Sequence, residues 1–398
     1  MGRREYIISM VALTAFATGC RKPYDPPAIS APGSYLVVEG VITSGSDSTI
    51  IKLTRTVKLA AQSVVNPVNG ATVMVVSDLN VDYPLLQTAP GTYSSAGLNL
   101  STAHKYRLSI AANNEQYLSD FVPVLNAPPI DSVGFTISGS GLNIYSNTHD
   151  PTNVVQYYRW DYQETWIYHS YFASAYVSNG DTVLIRTRAQ EVSQCWQSDT
   201  SSTVIINSTA NLSRAVIANN PVTSITPTSE KIEDEYSILV RQYALTADAY
   251  IFWQNLKQNT EKMGSIFDPQ PSQINGNIHC ITKPNEPVIG YVSAGAITTS
   301  RIFIHSAQLP YWPPLPPNPP CVLDSLYYQA IVTGTSGFVN QVSEFINYDR
   351  GAFDVQIPVD ALGKPGKPPI GYSASTPDCV DCTVQHGTNV EPVFWQYL

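Results

Sequence analysis

The sequence predicts a mainly β protein, with an N-terminal β-sandwich followed by a larger β-sandwich-type domain that carries one amphipathic helix. Three observations carry that expectation. Charged residues are only 13% of the chain, whereas 24 Tyr and 30 Pro are present; aromatic side chains suit half-buried pleated surfaces, and proline breaks helices. From Tyr35 onward, short apolar runs alternate with turn residues at the spacing of strands. A helical repeat is convincing in one stretch alone, from Ala247 to about Met263. At 398 residues the chain exceeds one ordinary domain, and its 43% apolar content is enough for a substantial core. A formal charge of −9 with no lysine or arginine run argues against a nucleic-acid partner.

The N-terminus sets the expected location. Arg3 and Arg4 precede an apolar segment from Tyr6 to Phe16, and Ala17-Thr18-Gly19 leads to Cys20. Small residues ending at a cysteine form a lipobox, and the apolar segment is well short of the roughly 20 residues that span a bilayer. Residues 1–19 are therefore read as a lipoprotein signal peptide and Cys20 as the lipidated residue. Arg21 stands where aspartate would signal inner-membrane retention, so the outer membrane is expected, with the facing side open. Residues 20–33 include Pro23, Pro26, Pro27 and Pro32, a composition that stays extended and serves as a tether.

Residues 34–126 contain LVVEGVIT, TIIKLTR, ATVMVVS, PLLQT, GTYSS, KYRLSIA and EQYLSDF, a strand density that fits a sandwich. NPVNGATVMVV (Asn66 to Val76) resembles transthyretin-like sandwich repeats, which makes a transthyretin/Ig-like fold the expectation for this domain. LNAPPI marks its end, and residues 127–398 form the larger domain. That domain opens on YYRWDYQETW, where Tyr158, Trp160, Tyr162 and Trp166 share one parity and Arg159, Asp161, Gln163 and Thr165 the other. Such alternation marks a half-buried strand. The aromatic row is read as core, with a sugar-stacking platform as the functional alternative.

The helix follows the strand YSILVRQY. Thr246 is its N-cap, Asp248 suits the positive end of the dipole, and Leu245 with Tyr250 forms a hydrophobic staple. Tyr250, Trp253 and Leu256, broadened by Ala249, Phe252 and Met263, make the apolar stripe, so Trp253 is expected in the core and Gln254 outside. The loop after it, GSIFDPQPSQINGNIHC, brings together Asp268, Gln270, Gln273, Asn275 and Asn277, with Gly276 permitting a tight turn. Those groups either brace the helix end or present a binding surface. Further on, LPYWPPLPPNPP holds seven prolines and is read as an extended, exposed arm. DSLYYQAIVTG, GFVNQVSEFIN and FDVQI are read as a last set of strands, with Phe394 and Trp395 docking on the core.

Beyond Cys20, five cysteines remain: Cys195, Cys280, Cys321, Cys379 and Cys382. An odd number in an oxidising compartment gives two disulfides and one free thiol as the simplest count, with connectivity open. Cys280 and Cys321 are placed to staple the helix loop and the proline-rich arm to the C-terminal tail. A redox pair at Cys379-x-x-Cys382 lacks a helix N-terminus to activate a thiol. A zinc site using His386 lacks a fourth ligand, so no metal or cofactor is expected. The six histidines (His104, His149, His169, His279, His305, His386) show no helical pairing, and Glu233-Asp234-Glu235 reads as a solvated turn. None of the nucleotide, metalloprotease, serine-hydrolase or calcium-loop motifs is present, and the chain is read as non-enzymatic.

Together LVVEG, YYRWDYQETW, Cys195-Trp196, the segment from Tyr236 to Cys280 including FDPQPSQINGNI, EPVIGYVSAGAITTSRIFI and PDCVDCTVQHGTNVEPVFW resemble the lipoprotein family known as domain-of-unknown-function family 4249. That resemblance implies an outer-membrane lipoprotein acting beside a TonB-dependent receptor, as an accessory or ligand-binding component of nutrient uptake. It assigns no catalytic residue and names no small-molecule or glycan ligand. A structural or adhesive envelope protein without a small ligand is the competing expectation.

Overall fold

In the computed structural model, the described residues are 35–57, 66–261, 276–313, 315–317, 319–331, 337–346, 355–385 and 387–397. The signal peptide, Cys20, the tether, Asp268, Gln270, Gln273, Asn275 and His386 lie outside them. Strands dominate, as the sequence predicts.

The N-terminal sandwich closes around an aliphatic core. Leu36, Ile42, Ile51, Leu53, Val75, Leu108 and Ile110 have essentially no exposed surface. Its strands run in the spatial order 278–280, 115–119, 105–112, 72–77, 82–89, 92–95, 49–55, 36–43 and 294–295. Strand Asp82–Ala89 joins the two layers, because its first half pairs with Val73–Val76 and its second half with Thr92–Ser94. Switching sheets within one strand is a common way to turn a sandwich corner.

Both ends of that order come from far along the sequence, within the segment expected to lie wholly in the larger domain. Ile278–Cys280 pairs antiparallel with Tyr117–Ser119, while Ile42 and Thr43 pair in parallel with Ala294 and Gly295. Val288, Val292 and Ala294 join the same core. The close approach depends on glycine. A Cβ on Gly276 would fall 1.8 Å from the Gly290 carbonyl oxygen, and one on Gly295 1.7 Å from that of Leu125. Gly276 therefore serves close backbone contact.

The second unit packs two sheets around an aromatic core. One sheet holds Ile130–Ser138, Gly141–Asp150 and Ala215–Ile225. The other runs 194–200, 157–169, 235–245, 298–305, with Ile205–Ser208 also on the 157–169 strand. The helix spans Ala247–Glu261. Thr246 caps it, its Oγ1 accepting the Ala249 N–H at 3.2 Å. Its buried residues are Ala249 and Phe252, with Trp253 only half-buried. The face is thus rotated from the expected stripe, because Phe252 reaches Tyr291 of the returning segment, 5.4 Å between ring centroids.

A small C-terminal sheet (324–327, 371–375, 357–362) packs on its own cluster of Leu326, Val342, Ile346, Tyr372 and Ala374. Here one expected strand is replaced. GFVNQVSEFIN contributes only Phe338–Val339 to a strand, and Val342–Ile346 forms a wide helical turn. Asn340 starts it: its side chain accepts the Ser343 N–H at 3.0 Å, and its carbonyl the Glu344 N–H at 3.1 Å. In the proline-rich arm, Tyr311 is 88% exposed, while Trp312 packs at the rim of the aromatic core.

Candidate functional site: the two faces of the central sheet

Strand Tyr157–His169 presents its two parities to different surroundings. On the core side, Tyr158, Trp160, Tyr162 and Trp166 are all buried, which leaves no row of open ring faces for a sugar to stack on. Large aromatics fill the space between sheets, and their polar tips need partners there. Tyr158 Oη donates to the Val155 carbonyl and Trp160 Nε1 to Gln242 Oε1, both at 2.9 Å, and Tyr162 Oη donates to Thr223 Oγ1 at 3.1 Å. Glu164, also buried, accepts from Tyr236 Oη at 2.9 Å and pairs with Lys231. Burial, and then the Glu164 charge, hold the Tyr236 phenol well above its ordinary pKa.

The opposite side carries charge. The Arg159 guanidinium lies 4.0 Å from the Tyr243 ring centroid and 4.5 Å from that of Trp253, tying sheet to helix. Asp161 receives Arg159 at 3.5 Å, Arg241, and the Tyr243 hydroxyl at 2.8 Å. Burial and Asp161 push Tyr243 up to about 12. Beside this stack a void of about 10 Å³ is lined by Arg159, Tyr243, Trp253, Tyr291, Val41 and Leu125, where sandwich, helix and sheet meet. It is no larger than a single water needs.

The C-terminal tail wraps the free edge of this sheet. Cys195 bonds to Cys382, and Cys321 to Cys379. Trp196 exchanges backbone hydrogen bonds with Thr388, and Trp395 then packs on Trp196, Ile167 and Phe303. Phe394 remains 36% exposed. Cys321 is stapled to the tail; Cys280 is not. It is a buried free thiol in the aliphatic core of the sandwich, which carries no second cysteine, and this corrects its candidacy as a bridging residue. Next to the first disulfide, an open groove of about 560 Å³ is lined by Trp166, Gln197, Ser198, Asp199, Glu230, Val384 and Gln385.

Of the loop residues singled out in the sequence, Asn277 is described and is 4% exposed. Its Nδ2 donates to the Val292 carbonyl at 2.9 Å and its Oδ1 accepts the Val292 N–H at 2.8 Å, so this side chain holds two backbone segments together. Among the described residues, no cluster of three or more His, Cys, Asp or Glu side chains could hold a metal ion, and no helix is long and apolar enough to cross a membrane. Each described histidine instead lies within 4 Å of an aspartate: His104 by Asp78, His149 by Asp131, His279 by Asp120, and both His169 and His305 by Asp234.

One polar cluster has no sequence signal. Arg55 reaches Glu115 at 3.0 Å and Glu286 at 3.7 Å, Tyr117 Oη donates to Glu115, and Lys283 pairs with Glu115. The hydrogen bond from Lys283, then that from Tyr117, brings Glu115 down to about 2. The Glu115/Tyr117 and Lys283/Glu286 spacings are local; only the contacts of Lys283 and Glu286 with the other three residues depend on the return of the distant segment.

The geometry defines a tandem β-sandwich protein with a disulfide-pinned tail. A family model described as a domain of unknown function (DUF4249) matches residues 21–301, and the chain belongs to that family. No curated protein matches it. Among solved structures, it is similar to a segment of two fibronectin type-III domains from chicken tenascin, with 11% identity over 54% of this chain and 93% of that one, at a TM-score of 0.16. It is also similar to the Yersinia pseudotuberculosis adhesin InvE, with 16% identity over 53% of this chain and 55% of that one, at a TM-score of 0.14. At such TM-scores neither likeness carries an argument.

Proposed function

We propose that the protein is a non-enzymatic lipoprotein of the outer membrane, held by an acylated Cys20, that works as an accessory or ligand-binding component beside a TonB-dependent uptake system. The observation that carries this reading is the lipobox directly followed by a family match that starts at residue 21. Two acyl signals or more give stable attachment where one chain does not. The tether composition supports a body held clear of the bilayer.

Cys20→Ser tests the anchor: the protein should leave the membrane fraction and lose acyl label, and unchanged partitioning overturns the anchor. Capture of the tagged, full-length protein from detergent-solubilised membranes tests the partner. Recovery of a TonB-dependent receptor is expected. Recovery of envelope scaffold proteins alone would favour the structural or adhesive role.

A further inference from the structure

The outward face of the central sheet carries an excess of arginine in an otherwise acidic chain. Alternate residues of its strands place Arg159, Arg241 and Arg301 there, against Asp161 and Glu235, whereas the chain as a whole carries −9. Asp161 already serves both Arg159 and Arg241. Glu235 is buried at the end of the sheet covered by the tail. Among the described residues, no carboxylate lies within ion-pair distance of Arg301. Its Nη1 donates to Ser237 Oγ at 3.0 Å, and its guanidinium sits 3.6 Å from the Phe394 ring centroid. Burial lowers its pKa with no neighbouring acid to oppose the shift. A half-buried cation without a counter-charge is costly to keep unless something anionic meets it.

The register says what shape of anion fits. Leu239 lies opposite Arg301 and Arg241 opposite Thr299, so the two arginines are diagonal neighbours on one face, about 7–8 Å apart. In an extended peptide, side chains at i and i+2 share a face and are roughly 6.6 Å apart. Trp253 and Tyr243 stand at one end of this face and Phe394 at the other. Arginine and aromatic side chains are the residues that most often anchor protein interfaces.

We propose that this face, centred on Arg301 and Arg241, docks an extended acidic polypeptide segment whose carboxylates alternate at i and i+2. The net negative charge of the whole chain disfavours a long uniform polyanion such as nucleic acid, and favours a short segment that meets the arginines alone. The proposal is independent of the membrane anchor.

The test uses the full mature chain and a labelled peptide alternating glutamate and serine, read by fluorescence anisotropy at low salt. The glutamate peptide should bind, and its glutamine counterpart should not. Arg301→Gln should weaken binding about tenfold or more. Arg301→Lys, which keeps the charge but loses the planar fork, should fall between the two, and it reports on the site if the glutamine variant melts early. Lys52→Gln, on the exposed surface of the first sandwich, should change nothing. No binding by the unmodified protein, equal binding of both peptides, equal affinity in Arg301→Lys and Arg301→Gln, or tighter binding of duplex DNA would each overturn the proposal.

Discussion

The two sandwich units solve the same burial problem with different side chains. The first is filled mainly by Leu, Ile and Val, with Tyr93, Tyr106 and Tyr117 as its only buried aromatics among the described residues, and its ionic groups sit at its edge around Glu115. The second adds Trp160 and Trp166 to Tyr158, Tyr162 and Tyr236 among its aliphatic residues; four of those polar tips find a partner inside, while the buried Trp166 Nε1 has none among the described residues. The first core tolerates hydrophobic exchange of similar volume. The second fixes its strand register by hydrogen bonds as well as by volume, and a single truncation there strands a buried polar group.

The largest expected effect is therefore Trp160→Ala, which opens a cavity and leaves Gln242 Oε1 without its donor. It should cost about 4–5 kcal/mol in chemical denaturation, toward the upper end for large core aromatics. Leu108→Ala in the first core should cost about 2–4 kcal/mol; equal losses would erase the contrast. Phe252→Ala, at the helix face shared by both units, should lose about 3 kcal/mol, and half-buried Trp253→Ala about 1–2 kcal/mol. The reverse order would restore the helix stripe expected from the sequence. Removing the Cys195–Cys382 bridge with a paired alanine variant should cost about 2–4 kcal/mol, with quenching of Trp395 fluorescence by added acrylamide as the local readout.

The smallest effects are those of pH, and they run in opposite directions. Glu115 is depressed to about 2 from an ordinary 4.5, chiefly by Lys283. Its contribution is full above 4.5 and disappears as the pH falls toward 2. The imidazole of His169 is raised above its ordinary 6.5, first by its hydrogen bond to Asp234. Its contribution is full below 6.5 and is lost as the pH climbs through the raised value. Melting temperatures measured across pH should show a shallower acid slope in Glu115→Gln and a shallower slope above pH 6.5 in His169→Gln. If each variant flattened the other limb, the assignments would be wrong.

Local pattern reveals much of this fold. LVVEGVIT and TIIKLTR were legible as strands and occupy Leu36–Thr43 and Thr49–Arg55, because alternation against one core leaves its mark on consecutive residues. The parity of Tyr158 and Trp160 was legible for the same reason. The pairing of Ile42 with Ala294 was not, since a parallel contact across most of the chain has no periodic signature. The helix face was misjudged because Trp253 is apolar at the right spacing, yet it lies over the Arg159 guanidinium while Phe252 goes inward. The pairing of Cys195 with Cys382 and the isolation of Cys280 likewise follow from which sheet each strand joins, which spacing cannot report.

The return of residues 276–296 to the N-terminal sandwich also sets an order in time. Val37 leaves the ribosome early, but Ile289, its parallel neighbour, follows only after more than half of the chain has been made. At about 5–20 residues per second, that delay is on the order of ten seconds or longer. Until then the Leu36–Thr43 strand has one unpaired edge, the kind of surface on which extended chains join and aggregate. A nascent or truncated chain that stops before Ile289 displays that open edge, and one that continues past Ala294 covers it. The domain that begins first is thus among the last to be finished.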